Sequence, residues 1–116
     1  MSINLSELFP ARFRGVPTLL EETPVRDEDY TIRRSDMSRV IPVEASTSVT
    51  ITVPDDSFDE VPIGAVINVY NKGVNNVVIE AAVGVTVHNA GILSPKSEAS
   101  LRKRDDNEWV VAGDLA

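Results

Sequence analysis

The stretch from Ile63 to Gly91 constrains this chain more than any other, because it is built almost wholly from residues that suit a pleated strand and the residues that interrupt one. Three short β-segments are predicted in it: Ala65–Tyr70, Asn76–Glu80 and Val85–His88. In the first, Val66, Asn68 and Tyr70 alternate with Ile67 and Val69, so one face can enter a core while the other meets water or a partner. Val77, Val78 and Ile79 carry stiff β-branched side chains, and Gly84 closes that segment before Val85-Thr86-Val87 begins another. Asn71-Lys72-Gly73 supplies residues that tolerate positive φ, which is a hairpin signal. The stretch is therefore expected to be an antiparallel β-unit.

The flanks continue the pattern. Tyr30-Thr31-Ile32 forms a first short strand, residues 33–38 a turn, and Arg39-Val40-Ile41-Pro42-Val43 a second strand. Pro42 has no N–H for a ladder, which predicts an edge or a strand end there. Ser48 to Val53 is the cleanest alternation in the chain, with Val49, Ile51 and Val53 facing one way and Ser48, Thr50 and Thr52 the other. Asp55, Asp56, Asp59 and Glu60 make an acidic loop. Ser97–Arg104 and Glu108–Gly113 flank the strong turn Asp105-Asp106-Asn107 and read as a hairpin, with Trp109 as a core anchor. The sum is an all-β fold: an antiparallel β-sandwich, jelly-roll-like, or a barrel, of about eight short strands with an irregular N-terminal arm.

Residues 1–29 differ in character from residues 30–116. Ser2 can cap a helical turn that Pro10 stops, and the residues beyond are irregular. Leu5, Leu8, Phe9, Phe13, Val16, Leu19 and Leu20 give the arm an apolar content that needs a surface to cover. The division predicted is an arm and linker over 1–29, making anchoring contacts, and one β-domain over 30–116. Eleven basic residues against eighteen acidic ones give a charge of −7, which repels phosphate backbones and anionic membranes, so neither nucleic acid nor membrane is an expected partner. The chain has no cysteine, which excludes disulfides and Cys-ligated zinc. No apolar run reaches the ~18 residues of a membrane span, and a soluble, unprocessed protein is expected. With only 5% aromatic residues the core is mostly Val, Ile and Leu, and oligomerisation commonly supplements so thin a core.

Four segments, taken in order, resemble a β-domain found repeatedly in virion proteins of tailed bacteriophages. They are Thr50-Ile51-Thr52-Val53-Pro54, the run from Ile63 to Asn71, the run from Val77 to His88, and the close Asn107-Glu108-Trp109-Val110-Val111-Ala112-Gly113-Asp114-Leu115. The chain departs from that pattern at Ala82-Val83, where small residues and glycine are commoner. The resemblance runs from about Tyr30 to the end and leaves the arm uncovered. Such domains occur in head decoration proteins, head fibres and tail fibres, and often form trimers. What the resemblance implies is a virion structural role and a homotrimer, more than a place in the particle. One small domain with an apolar arm, lacking the long repetitive shafts of a fibre, fits a decoration protein at the capsid surface better than one of the tail, with the major capsid protein or another virion protein as partner.

The chemistry-bearing residues point the same way. His88 is the only histidine and a strand-end histidine is usually structural. The acidic loop and Asp27-Glu28-Asp29 lack the ligand order of an EF-hand and are expected to be solvated. Arg12 with Arg14, and Arg102-Lys103-Arg104, are expected to be a wet face. Gly64, Gly73, Gly84 and Gly91 are turn residues without the strand-to-helix context of a phosphate loop. The expectation is a protein with no enzymatic activity and no cofactor, a capsid decoration or cement subunit that holds the head surface through Leu5, Leu8, Phe9, Phe13, Val16, Leu19 and Leu20 and oligomerises through its β-domain. The alternative is a fibre-associated module that binds a receptor or carbohydrate.

Overall fold

The computed structural model describes residues 20–113 and 115–116. The fold is all-β, a sandwich of two mixed sheets. Among the described residues ten strands follow one another: β1 (Glu21–Glu22), β2 (Tyr30–Thr31), β3 (Arg39–Val43), β4 (Val49–Val53), β5 (Val66–Asn71), β6 (Val77–Ala81), β7 (Thr86–His88), β8 (Ile92–Leu93), β9 (Glu98–Asp105) and β10 (Glu108–Gly113), with a 3₁₀ turn at Arg34–Asp36. One sheet runs β1-β3-β5-β9-β10-β7 and the other β2-β4-β6-β8.

The first six strands alternate between the sheets, odd ones in the larger and even ones in the smaller. Each therefore lies beside the strand two places along, and these pairs are parallel. Val40 lies beside Asn68 and Val49 beside Val77, an offset of 28 residues in both sheets. The first half of the domain is thus a flattened coil whose crossovers run through the opposite sheet. Parallel strands need a connection of about a dozen residues or more, and the intervening strand supplies it.

This corrects the antiparallel reading of the central stretch. β5 and β6 are not a hairpin, and Asn71-Lys72-Gly73 turns a corner from one sheet to the other. Asn71 is buried there. Its Nδ2 donates to the carbonyls of Asn75 (2.7 Å) and Leu93 (3.0 Å), and its Oδ1 accepts from the Gly73 N–H (3.1 Å). The backbone N–H of Lys72 meanwhile donates back to the Val43 carbonyl of the preceding coil (2.8 Å). Antiparallel pairing is confined to the second half, where β9 joins β5 to β10 and β8 joins β6. The predicted hairpin over Asp105-Asp106-Asn107 is present, with Asn107 at φ +50°.

Two further expectations change. Pro42 sits inside the larger sheet, not at its edge: β3 lies between β1 and β5. The Val40 and Pro42 carbonyls, two residues apart, accept from the N–H groups of Thr23 and Arg26, three apart. One extra residue bulges on that side, opposite the proline that has no N–H to offer. The sheet also begins earlier than Tyr30. Glu21 and Glu22 pair with Arg39 and Val40, and Arg26 bridges Val43, so part of the segment read as arm and linker is the first rung of the larger sheet.

The core lies between the sheets. Ile41, Val43, Ile67, Val69, Ala99, Leu101, Trp109 and Val111 come from the larger sheet and Val49, Ile51, Val53, Val77, Ile79 and Leu93 from the smaller, with Ile32 and Val61 added from outside the strands. The alternation of β4 is buried at Val49, Ile51 and Val53 and half-buried at Thr50 and Thr52, as its pattern predicts.

Candidate interaction surfaces

The topology gives the sandwich two ends. β9 runs antiparallel to β5, so Arg102 lies beside Val66 at the start of β5 and Glu98 beside Tyr70 near its finish. One end gathers the loops 54–65 and 82–85 with the tip 105–107. The other gathers residues 26–29, 44–48, 71–76 and 94–97.

At the first end the acidic loop leaves Ser57, Phe58 and Glu60 exposed and holds to the protein at Asp56 and Asp59. Asp55 Oδ1 accepts from the Ser57 hydroxyl (2.6 Å) and from the N–H groups of Ser57 and Phe58. The Ser57 hydroxyl is the largest influence holding the Asp55 carboxyl below its usual range. Asp56 pairs with Lys103 (2.5 Å), whose Nζ also donates to the Val61 carbonyl (2.6 Å). Lys103 is therefore no part of a wet face: at 2% exposure it fills the core side of β9, cross-strand from Trp109. Asp59 accepts the Arg34 N–H (2.9 Å). Among the described residues no group of three or more His, Asp or Glu side chains is placed to hold a metal ion.

Two turns at this end share one design. In Pro62-Ile63-Gly64-Ala65 and Ala82-Val83-Gly84-Val85 the fourth N–H donates to the first carbonyl (3.1 Å in both), and the third residue is glycine at φ +94° and +85°. That is the type II pattern, which places the second residue at the tip. Ile63 is consequently 59% exposed and Val83 96%. The Ala82-Val83 turn is thus regular despite its departure from the phage pattern. Phe58 is half-exposed, with the Arg33 guanidinium over its ring at 5.1 Å.

Arg102 and Arg104 project from the outer face of β9, on the opposite side from Leu101 and Lys103. Neither enters an ion pair with another described residue. They line a shallow pocket of about 230 Å³ with Ile63, Gly64 and part of Lys103. In the same register row as Arg102 lie Val66, Val110 and His88, and His88 Nε2 meets Glu108 Oε2 at 2.9 Å on the surface.

At the opposite end, Val25, Asp27 and Glu28 are exposed beside a second pocket of about 230 Å³, lined by residues 25–30. The Arg26 guanidinium stacks over the Tyr30 ring at 4.0 Å. Tyr30 donates its O–H to the buried Asp36 (2.7 Å), which also accepts the Arg33 N–H (2.9 Å). Burial first, then the hydrogen bond and charge of Asp36, push the Tyr30 hydroxyl up to about 12, against a smaller opposing pull from Arg26 and Arg33. Asp29 caps the start of β4 by accepting the Thr50 N–H (2.8 Å).

Of the seven arm residues proposed from the sequence, Leu20 is half-buried where the chain enters β1. Leu5, Leu8, Phe9, Phe13, Val16 and Leu19 lie outside the described residues. Sequence reasoning missed Asn71 and Lys103 as inward polar groups, and the pairing of an apolar turn tip with Arg102 and Arg104. Strand parity held the signal for Lys103, since Ala99, Leu101 and Lys103 share one face of β9.

No family model, no curated protein and no solved structure matches this chain.

Proposed function

We propose that this chain is an adhesive structural subunit of a tailed-phage particle, a capsid decoration protein whose apolar N-terminal segment covers a surface of the major capsid protein or another virion protein while the β-domain oligomerises, as a trimer. The observation that carries the reading is the run of apolar residues Leu5, Leu8, Phe9, Phe13, Val16, Leu19 and Leu20 that precedes β1 in the sequence. Among the described residues the core between the sheets is drawn from residues 32–111, and β1, where Glu21 and Glu22 are exposed, is the outermost strand of the larger sheet. The order of the four β-segments that resembles phage virion domains supports the same role.

Burial of such side chains is worth ~25 cal/mol per Å² of apolar surface, and several copies held in one oligomer multiply the attachment. Replacing Leu5, Leu8, Phe9 and Phe13 by Ser in the full chain is expected to abolish co-sedimentation with phage heads assembled without it, while the melting curve stays that of the parent. Unchanged decoration by this variant would overturn the role given to the arm.

A further inference from the structure

We propose that the pocket between the Ile63 turn and Arg102–Arg104 receives the acidic segment Val25–Glu28 of a second copy of this chain, joining the molecules head to tail. The inference deepens the oligomerisation assigned to the β-domain and rests on that part of the proposed function.

The argument is one of matched surfaces. The pocket offers two guanidinium groups on one face of β9 and the exposed aliphatic tip of Ile63, and Val66, 36% exposed, lies cross-strand from Arg102. Same-face positions two apart on a strand are about 6.5–7 Å from one another, so two carboxylates on successive residues can meet them. The chain as a whole carries −7, and a pair of guanidinium groups outside any ion pair with described residues is locally opposite to the rest of the molecule. Polyanions are poor candidates, because Asp105 and Asp106 follow Arg104 immediately and would repel an extended line of phosphates. A short segment with two carboxylates and one apolar side chain fits.

The chain presents such a segment. Val25 is 48% exposed, and Asp27 and Glu28 are exposed two and three residues on. Asp29, which follows them, is already engaged by the Thr50 N–H and is left out of the contact. Arg26 lies against Tyr30, so the only cation in the segment is turned to its own domain. Arg26 bridges Val43 at the finish of β3, whereas Arg102 pairs with Val66 at the start of β5, and β3 and β5 are parallel. The two surfaces therefore sit at opposite ends of the sandwich. Each copy cannot satisfy itself, and the contact is heterologous, closing into a ring such as a trimer where the rotation between subunits allows.

A charge-reversal exchange on the full chain tests it. By sedimentation velocity at low salt the parent is expected to be oligomeric, and to dissociate toward monomer near ~1 M NaCl, where the screening length falls to about 3 Å. R102E/R104E and D27R/E28R are each expected to be monomeric, with far-ultraviolet circular dichroism spectra like the parent's. Combined in one chain, the four substitutions are expected to recover the oligomer, because every reversed pocket then meets a reversed segment. A parent oligomer unmoved by either double variant, or a combined variant that stays monomeric, overturns the contact while leaving an oligomeric decoration protein in place. A parent that is monomeric overturns both the contact and the oligomerisation on which it rests. Failure of head binding by the arm variant bears on neither.

Discussion

At the scale of single residues, the domain is specified by a few polar side chains that point inward. Asn71 satisfies two carbonyls and one N–H at the corner between the sheets. Asn71→Ala leaves those groups buried without partners, at ~1–3 kcal/mol for each that finds no substitute, so a loss of about 2–4 kcal/mol in urea-unfolding stability is expected. Asn71→Asp is expected to be worse, since a carboxylate would face the Asn75 and Leu93 carbonyls. Hydropathy could not reveal this role: an asparagine followed by Lys-Gly has the same local signature in a hairpin and in a corner. Tyr30 gives a pH signature. Its hydroxyl lies at 10.0 in the unfolded chain and about 12 in the folded one. Between those values the unfolded chain has shed a proton that the native one keeps, so the stabilisation is full below about pH 10 and is lost as pH rises toward 12. The fall in urea midpoint between about pH 9 and about pH 11.5 is expected to be smaller in Tyr30→Phe than in the parent, because the substituted ring has no such proton to hold. An equal fall in the two proteins would remove Tyr30 from the account.

At the scale of elements, the strands themselves were legible and their partners were not. β4 and the β9–β10 hairpin follow directly from period-two alternation and a strong turn, and β5 was placed within a residue. Alternation assigns each side chain to a face, but a face says nothing about which strand lies alongside. The later parallel neighbours of β3 and β4 lie 28 residues on and the earlier ones 18 and 21 residues back, beyond any local turn signal. The C-terminal residues show a pairing of the same hidden kind: Leu115 bridges Leu93, and Ile92 and Ala116 exchange two backbone hydrogen bonds of 3.0 and 2.9 Å. Gly91 permits this approach, because a Cβ there would lie 2.5 Å from the Ala116 carbonyl oxygen. Gly91→Ala is therefore expected to release residues 115–116 from the smaller sheet. The readout is fast amide exchange at Ile92 and Ala116, with a stability loss of about 1–2 kcal/mol for two backbone hydrogen bonds. Protection at both amides equal to the parent's would show that the sheet edge can shift to accept the methyl group.

At the scale of the molecule, the candidate site and the fold have one origin. The coil brings residues far apart in the chain to each end of the sandwich, which is why Ile63 meets Arg102 and Arg104 although sequence patterns gave each a separate bland role. The same wiring bears on how the domain holds together. In the chain β4 crosses to the other sheet between β3 and β5, and in the larger sheet β9 lies between β5 and the outer strands β10 and β7. Both sheets share one core, so no sub-part buries its apolar face without the rest. Equilibrium unfolding is consequently expected to be a single transition, with the same midpoint by fluorescence of the sole Trp109, which lies in the core, and by far-ultraviolet circular dichroism, which reports the sheets. Because the ladder is dominated by distant pairings, folding is expected in the millisecond-to-second range typical of all-β domains. A Trp109 transition that precedes loss of the sheets would instead show the β9–β10 hairpin detaching from an intact coil, and the two sheets could no longer be held to depend on one core.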